Sequence, residues 1–480
     1  MKARSKHNTS YILLICGIAA LGGILFGYDT AVISGAIEPL QKHFNLSAAE
    51  TGWAVSNVVI GCVAGAFSAG VIAGKYGRKK ALILAALLFT VSAIGTAVAT
   101  TFSLFVVFRL IGGLAVGLAA TVSPMYMSEV APKDMRGRAL SMQQFAIVSG
   151  QIVIFLVNYL IARDASDAWL TETGWRWMFG SGVLPCTLFC ALVFIIPESP
   201  RWSVMAGRDD DALAMLTKVS NPQHAQNVLA EIKSSLRNEQ AQNSSKIRFG
   251  NSTTRFILLL GCTLAVMQLI TGVNVMMYYA PVVLQTVTGS AQEALFQTIW
   301  IGVFQLIGVI TGAMLLDRTG RLPLMRFGTL GVIIGLLLLS YALFSGTTGY
   351  MALFGMLVFM FFYALSWGVV GWTLVSEIFP NRMRASGMSI AIGCQWAANF
   401  VVSQLFPIIN DNAWLSATFN GAFPMLFFAV CAVWCYWFIG RYVPETRGVA
   451  LESMEEVILA RREGNPVPET AYREPEMRQE

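Results

Sequence analysis

Only 12% of the 480 residues are charged, whereas 55% are hydrophobic and mean hydropathy is +0.61. A soluble domain carries about 25% charged residues, so this chain cannot coat a water-facing surface, and disordered chains, secreted mini-proteins and most soluble enzymes are excluded. What remains is a polytopic membrane protein, and its net charge of +6 is no sign of nucleic-acid binding, because where the charges sit matters more than their sum.

A helix crossing the hydrocarbon needs about 20 mostly apolar residues. Stretches free of Asp, Glu, Lys, Arg and His cover 8–28, 51–74, 139–162 and 177–197; 81–128, broken only by Arg109, is long enough for two, which makes six spans. Lys2, Arg4 and Lys6 ahead of the first run superficially resemble a signal peptide, but the run lacks a small-residue cleavage site and leads into further spans, so it reads as a retained helix. Residues 198–255 turn polar, and Asp209–Val219 and Ala225–Leu236 pattern as short amphipathic helices on the cytoplasmic face. Stretches 256–292, 294–316, 385–410 and 412–440, with 327–376 counted as two, supply six more spans. The tail beyond Arg441 is charged, with a helix expected around Leu451–Leu459 and disorder after it. The division expected is a bundle over 1–197, a linker over 198–255, a second bundle over 256–442 and a tail over 443–480. Lipid offers backbone groups no partners, so the fold expected is an all-α membrane protein of twelve transmembrane helices in two six-helix halves.

Of the 33 Lys and Arg residues, 29 fall on the amino terminus, the even-numbered connections and the tail, which places both termini in the cytoplasm. All eight cysteines lie in apolar stretches without a C-x-x-C, and His7, His43 and His224 are scattered, so no metal site and no cofactor are expected.

Three signatures recur. Gly77-Arg78 returns as Gly320-Arg321, 243 residues on; Ser128-Glu129 through Met135-Arg136 returns as Ser376-Glu377 through Met383-Arg384, 248 on; Pro197-Glu198-Ser199 returns as Pro444-Glu445-Thr446, 247 on. The chain is a parallel repeat, the build of carriers that rock one half against the other about a central site.

These motifs also carry a resemblance. With Gly27-Tyr28-Asp29, Arg109-Leu110-Ile111-Gly112-Gly113, Pro197-Glu198-Ser199-Pro200-Arg201, Asp317-Arg318-Thr319-Gly320-Arg321, Ser376-Glu377-Ile378-Phe379-Pro380 and Pro444-Glu445-Thr446-Arg447-Gly448, the chain resembles the sugar porter family of the major facilitator superfamily over nearly its whole length. Within that family it is most similar to bacterial proton-coupled sugar symporters. The resemblance implies uptake of a pentose or hexose with protons across a bacterial inner membrane by a monomeric carrier; a cyclitol or polyol symporter and a facilitative sugar uniporter are the alternatives. An intramembrane enzyme would need paired carboxylates, a Ser/His pair or metal ligands at depth, and none appear.

Three constellations follow. Asp29 and Arg109 are charges at membrane depth, costly unless paired or wetted. A guanidinium favours the ionised acid and a dry site favours the protonated one, so the pair can switch a proton; the alternative is a static ion pair joining spans 1 and 4. The substrate ligands expected, matched to the family pattern, are Phe26, Gln144, Gln151, Gln268, Asn274, Tyr278, Tyr279, Gln305, Trp372, Gln395, Trp396 and Asn399. Amides donate and accept as sugar hydroxyls do, aromatic faces cover the ring's C–H side, and Gly272 would let span 7 bend; interhelical glue is the alternative. Four departures from the family pattern stand at Leu269, Gln305, Val369 (where the family has proline) and Gly74. The repeated charges Arg78, Glu129, Arg136 and Glu198, with Asp317, Arg321, Glu377, Arg384 and Glu445, are expected to form a cytoplasmic latch or to set topology.

Overall fold

The structure is a computed structural model that describes residues 8–132, 135–242, 252–346, 350–380, 383–449 and 453–463. Among the described residues, twelve helices are long and apolar enough to cross a membrane. The chain divides into two compact units, residues 1–46 with 57–246 and residues 47–56 with 247–480.

In the first unit α1 (Thr9–Ala31) passes through the helical Val32 into α2 (Ile33–Phe44). The first span therefore outruns its charge-free stretch: it takes in Asp29, and at its far end Lys42 pairs with Glu38 at 2.6 Å, one helical turn apart. Next come α3 (Ala48–Tyr76), α4 (Arg78–Val98), α5 (Phe102–Val130) and α6 (Arg136–Ala162). Thr101 starts α5 by accepting a hydrogen bond from the Leu104 N–H at 3.3 Å. The sixth span, Asp167–Val193, begins ten residues earlier than its charge-free stretch. It is assembled from α7 (Asp167–Trp169), a π-helical turn over Leu170–Gly174, α8 (Trp175–Gly180) and α9 (Val183–Val193).

Three short helices follow: α10 (Pro200–Met205), α11 (Asp209–Val219) and α12 (Pro222–Gln242). The second is the helix expected, the third is longer than expected, and the first was not foreseen. Its start is nonetheless local: the Ser199 hydroxyl accepts from the Trp202 N–H at 3.2 Å and Pro200 takes the first helical position. Lys233 pairs with Asp209 at 2.6 Å to hold α12 on α11, and the Trp202 indole N–H donates to the Gly74 carbonyl at 2.8 Å.

In the second unit span 7 is broken. Its pieces are α13 (Ser252–Ile270), α14 (Val273–Tyr278) and α15 (Ala280–Thr288), and Gly272 at the break has φ +91°. Then come α16 (Ala291–Thr319), α17 (Arg321–Ser345) and α18 (Tyr350–Tyr363); a π-helical stretch over Ala364–Gly371 leads into α19 (Trp372–Ile378). The set ends with α20 (Arg384–Asn410), α21 (Ala413–Phe419), α22 (Phe423–Tyr442) and α23 (Met454–Glu463). The tail helix thus starts later than expected and runs to Glu463; Ala450–Glu452 and the expected disorder after 463 lie outside the described residues. Met454, Val457 and Ile458 are fully buried, so the tail helix docks by one apolar face.

A bend at Gly272 is a matter of sterics. An added Cβ would lie 2.7 Å from the Phe428 ring, and a left-handed backbone opposes any side chain. Gly272→Ala is expected to cost about 1–3 kcal/mol, read as a lower thermal midpoint of the purified protein. Large apolar side chains such as Phe67, Val71, Leu184 and Val430 stand exposed on the spans, which suits lipid rather than water.

Candidate functional site: a one-armed ion pair, an amide cluster and two matched charge clusters

The first site lies within the first unit. Glycines at 23, 27 and 150 let α1 and α6 meet backbone to backbone; a Cβ at Gly27 would strike the Ile147 carbonyl. From the same helix Asp29 faces α5, where Arg109 is fully buried and the Asp29 side chain keeps 16% exposure. The Arg109 Nη1–H group reaches Asp29 Oδ2 at 3.2 Å and the Asp29 main-chain oxygen at 3.1 Å. This is a one-armed contact, not the two-armed fork that makes arginine pairs strong. Arg109 Nε and Nη2 have no hydrogen-bond partner among the described residues, and the guanidinium sits 5.5 Å from the Phe179 ring centre. A cavity adjoins the carboxylate, walled by Leu25, Tyr28, Phe89, Phe179 and Cys186. The carboxylate thus borders a small cavity on one side and a cation held by one arm on the other.

Of the amides expected in this unit, Gln144 and Gln151 lie half-buried on α6, and the Gln151 Oε1 atom is buried without a partner. Phe26 is half-buried on α1. Gln143 was missed in the sequence. It is buried against Gly23, and neither of its side-chain polar atoms has a partner among the described residues. Its neighbour Gln144 drew attention through the seven-residue spacing, which a residue one step round the helix does not share.

The second unit gathers most of its expected amides. Gln268 on α13 donates from Nε2 to the Trp367 carbonyl at 2.7 Å, and its Oε1 accepts from Gln395 Nε2 on α20. The Trp367 carbonyl lies in the π-helical stretch, where the ordinary ladder is interrupted and a side chain can take its place. The Tyr363 hydroxyl donates to the Gln268 main-chain oxygen at 3.1 Å. A second pair stands beyond the Gly272 break: Asn274 donates to Asn399 Oδ1 at 2.5 Å, and Ser403 donates to the same atom at 3.1 Å. Gln305 on α16 is buried with Oε1 unpartnered among the described residues. Tyr278 is buried on α14, Trp396 is half-buried on α20 and Trp372 keeps 41% exposure on α19. Tyr279 differs from the others. Its ring is buried against Phe406, and its hydroxyl is committed to the Ser403 carbonyl at 3.0 Å, so it braces α20.

The repeated charges build one cluster in each unit. At Gly77 (φ +101°) and Gly320 (φ +91°) the chain turns into α4 and α17, and a carboxylate meets the new helix start. Glu198 accepts from the Arg78 and Lys79 N–H groups at 2.9 and 3.1 Å; Glu445 accepts from Arg321 and Leu322 at 3.0 and 2.9 Å. Negative charge there meets unpaired N–H groups and the positive helix end. Arg78 then grips Glu129 with two arms at 2.9 and 2.7 Å, and Arg321 grips Glu377 at 3.3 and 3.0 Å. The Ser199 and Thr446 hydroxyls donate to the same two carboxylates. These bonds tie elements of a single unit together. Arg384 donates to the Ser376 carbonyl at 3.1 Å, Arg136 is exposed at the start of α6, and the side chain of Asp317 is outside the described set. The Arg78–Glu129 side chains are only 7% and 10% exposed. Glu129→Gln, which leaves a buried guanidinium uncompensated, is expected to cost about 3 kcal/mol, seen as a lower thermal midpoint in detergent.

The model of the sugar (and other) transporter family matches residues 15–458. Over 477 residues the chain is 39% identical to the D-xylose-proton symporter of Escherichia coli K12, covering 94% of this chain and 96% of that protein. It is 37% identical over 475 residues to the glucose transport protein of Synechocystis, covering 94% and 98%. The inward open conformation of the xylose transporter XylE from E. coli matches with a TM-score of 0.83 at 37% identity, covering 93% of this chain and 100% of that one. These relatives are carriers, not enzymes. With twelve apolar helices, the repeated motifs and a family match over most of its length, this multi-pass membrane protein belongs to the sugar transporter family.

Proposed function

We propose that the chain takes up a monosaccharide, a pentose or a hexose, together with protons by alternating access, in a bacterial inner membrane with both termini cytoplasmic. The observation that carries this reading is the Asp29–Arg109 contact: an acid at membrane depth, held by one arm of a buried guanidinium and open to a cavity. Protonation of Asp29 neutralises it and frees Arg109; loss of the proton restores the pair, so each cycle carries one proton with the substrate. Gln268, Asn274, Gln395 and Asn399 supply neutral donors and acceptors for sugar hydroxyls, and Gln144 and Gln151 offer the same chemistry in the first unit. The carbonyls and amides that now bond one another hand those bonds to the sugar. The two charge clusters stiffen each unit and serve the closing of the inner mouth.

The test is transport by the purified protein in proteoliposomes, with a panel of labelled pentoses, hexoses and inositols. An imposed inward proton gradient is expected to drive at least one monosaccharide above its equilibrium level, and a protonophore to collapse that accumulation. Uptake that only equilibrates, with or without the gradient, would overturn coupling. Leu269 beside Gln268 is the place to probe selectivity. Its apolar side chain is buried one step along α13 from Gln268, and Leu269→Gln is expected to change the ranking of sugars in competition for uptake by adding a donor and an acceptor at a position where the family carries an amide.

A further inference from the structure

The transport reading leaves one cluster of charge unused, at the end of α22. Three arginines from three helices meet around Gly440. Arg326 of α17 lies over the Tyr436 ring, 5.2 Å from its centre, and Nη2 donates to the Tyr436 hydroxyl at 3.4 Å. Its Cζ lies 3.7 Å from where a Cβ on Gly440 would stand, so the guanidinium occupies the notch beside the glycine. Arg461 of the tail helix donates from Nη2 to the Gly440 carbonyl, and its Nε is buried without a partner among the described residues. Arg441 donates to the Arg461 carbonyl at 3.5 Å and rests 5.3 Å from the Tyr442 ring centre. Among the described residues no carboxylate makes an ion pair with any of the three.

The helix end explains part of this. A carboxyl-terminal dipole amounts to about half a negative charge, enough to attract one guanidinium but not three. Arg326 and Arg441 are exposed and Arg461 is half-buried, so the remaining positive charge is open to an anion from outside. The surroundings say which. Trp434 and Trp437, 41% and 56% exposed, stand one to two turns back along α22 from Arg441 and Tyr442. Aromatic side chains of this kind lie at headgroup level, with basic residues just outside. The open side of the cluster therefore faces the interface of the bilayer, where anionic headgroups are drawn to arginine.

We propose that Arg326, Arg441 and Arg461 form a binding site for the phosphate of an anionic glycerophospholipid, which neutralises the cluster and fastens α17, α22 and the tail helix together. The cation–π contacts to Tyr436 and Tyr442 hold two of the guanidiniums in place for a second partner on their outer edge.

Phosphatidylglycerol is the probe. The full chain, purified in detergent, is titrated with phosphatidylglycerol, phosphatidylcholine or inorganic phosphate while the thermal midpoint and lipid retention by native mass spectrometry are followed. Phosphatidylglycerol is expected to raise the midpoint and be retained, and phosphatidylcholine is not. The double variant Arg326→Gln/Arg441→Gln should bind phosphatidylglycerol at least tenfold more weakly, a loss on the order of that expected for two headgroup-facing arginines. Arg441→Gln alone touches only an exposed side chain and guards against misfolding; it should show a smaller loss in the same direction. Arg138→Gln, an exposed arginine on α6, should behave as the parent. Equal responses to the two lipids, unweakened binding in both the double and the single variant, or an equal loss in Arg138→Gln would each overturn the site. A shift by inorganic phosphate matching that of phosphatidylglycerol would show a free-anion site and overturn the lipid assignment.

Discussion

Asp29→Asn is expected to abolish uphill accumulation while leaving sugar exchange across the membrane. The amide keeps the size of the acid and resembles its protonated form, so substrate can still bind and the carrier can still turn over. With no proton to release, the cycle has nothing to tie the two fluxes together, and the steady-state ratio of internal to external sugar falls to about one. The geometry sharpens the expectation. Arg109 holds Asp29 through a single Nη1 arm at 3.2 Å and also bonds its main-chain oxygen at 3.1 Å. Replacing the carboxylate by an amide leaves the guanidinium two neutral acceptors, the amide oxygen and the main-chain oxygen, but removes the charge that balances it, a cost of the kind expected for Glu129→Gln, so the amount of protein in the membrane is measured beside transport. Two measurements check this in parallel: sugar-induced alkalinisation of the outer medium, expected to vanish, and counterflow of labelled sugar, expected to persist. Unchanged accumulation would show that the proton binds elsewhere.

Gln268→Ala is expected to weaken substrate binding more than Gln395→Ala. An amide lost from a dry site leaves a partner unpaired at about 1–3 kcal/mol, which corresponds to roughly 5- to 150-fold in affinity. Gln268 bridges two partners, the Trp367 carbonyl and Gln395, whereas Gln395 contributes one of those links. Its loss also takes a side-chain donor from the Trp367 carbonyl inside the π-helical stretch. Because the two amides touch, their effects should not add: a double-mutant cycle is expected to show a coupling of about 1 kcal/mol. Binding is read by calorimetry or by protection of tryptophan fluorescence, with the amount of protein in the membrane as control. Indifference of binding to both substitutions would place the sugar site elsewhere.

Much of this protein could be read without coordinates, because the relevant signals are local. Charge-free length gives spans, and the lipid's lack of hydrogen-bond partners leaves helices as the default. The recurring Gly-Arg, Glu and Pro-Glu motifs announced two copies of one cluster, and the structure builds both, down to Ser199 and Thr446 in equivalent places. Gly272 announced a break because only glycine tolerates φ +91° at no cost. Span ends were less legible: Asp29, Glu38 and Lys42 ride inside the first helix, since a charge paired or near the interface does not stop a helix.

Tertiary structure alone decided who meets whom. That Gln268 touches Gln395, 127 residues away, depends on how α13 packs on α20. The π-helical stretch at Ala364–Gly371 re-phases everything after it, because each residue inserted into a helix turns the following face by about 100°. The orientation of Trp372 therefore could not be counted out from Gly368. Tyr278 and Tyr279 read alike as neighbours in sequence, yet the Tyr279 hydroxyl is spent on the Ser403 carbonyl. Gln143, beside an amide that the spacing singled out, proved to be buried with neither side-chain polar atom partnered among the described residues. The arginines at 326, 441 and 461 looked like scattered topology signals until three helix ends brought them to one glycine. In each case the sequence supplies the chemical group, while its partner is chosen by packing between separate helices or by helical phase, neither of which a local pattern records.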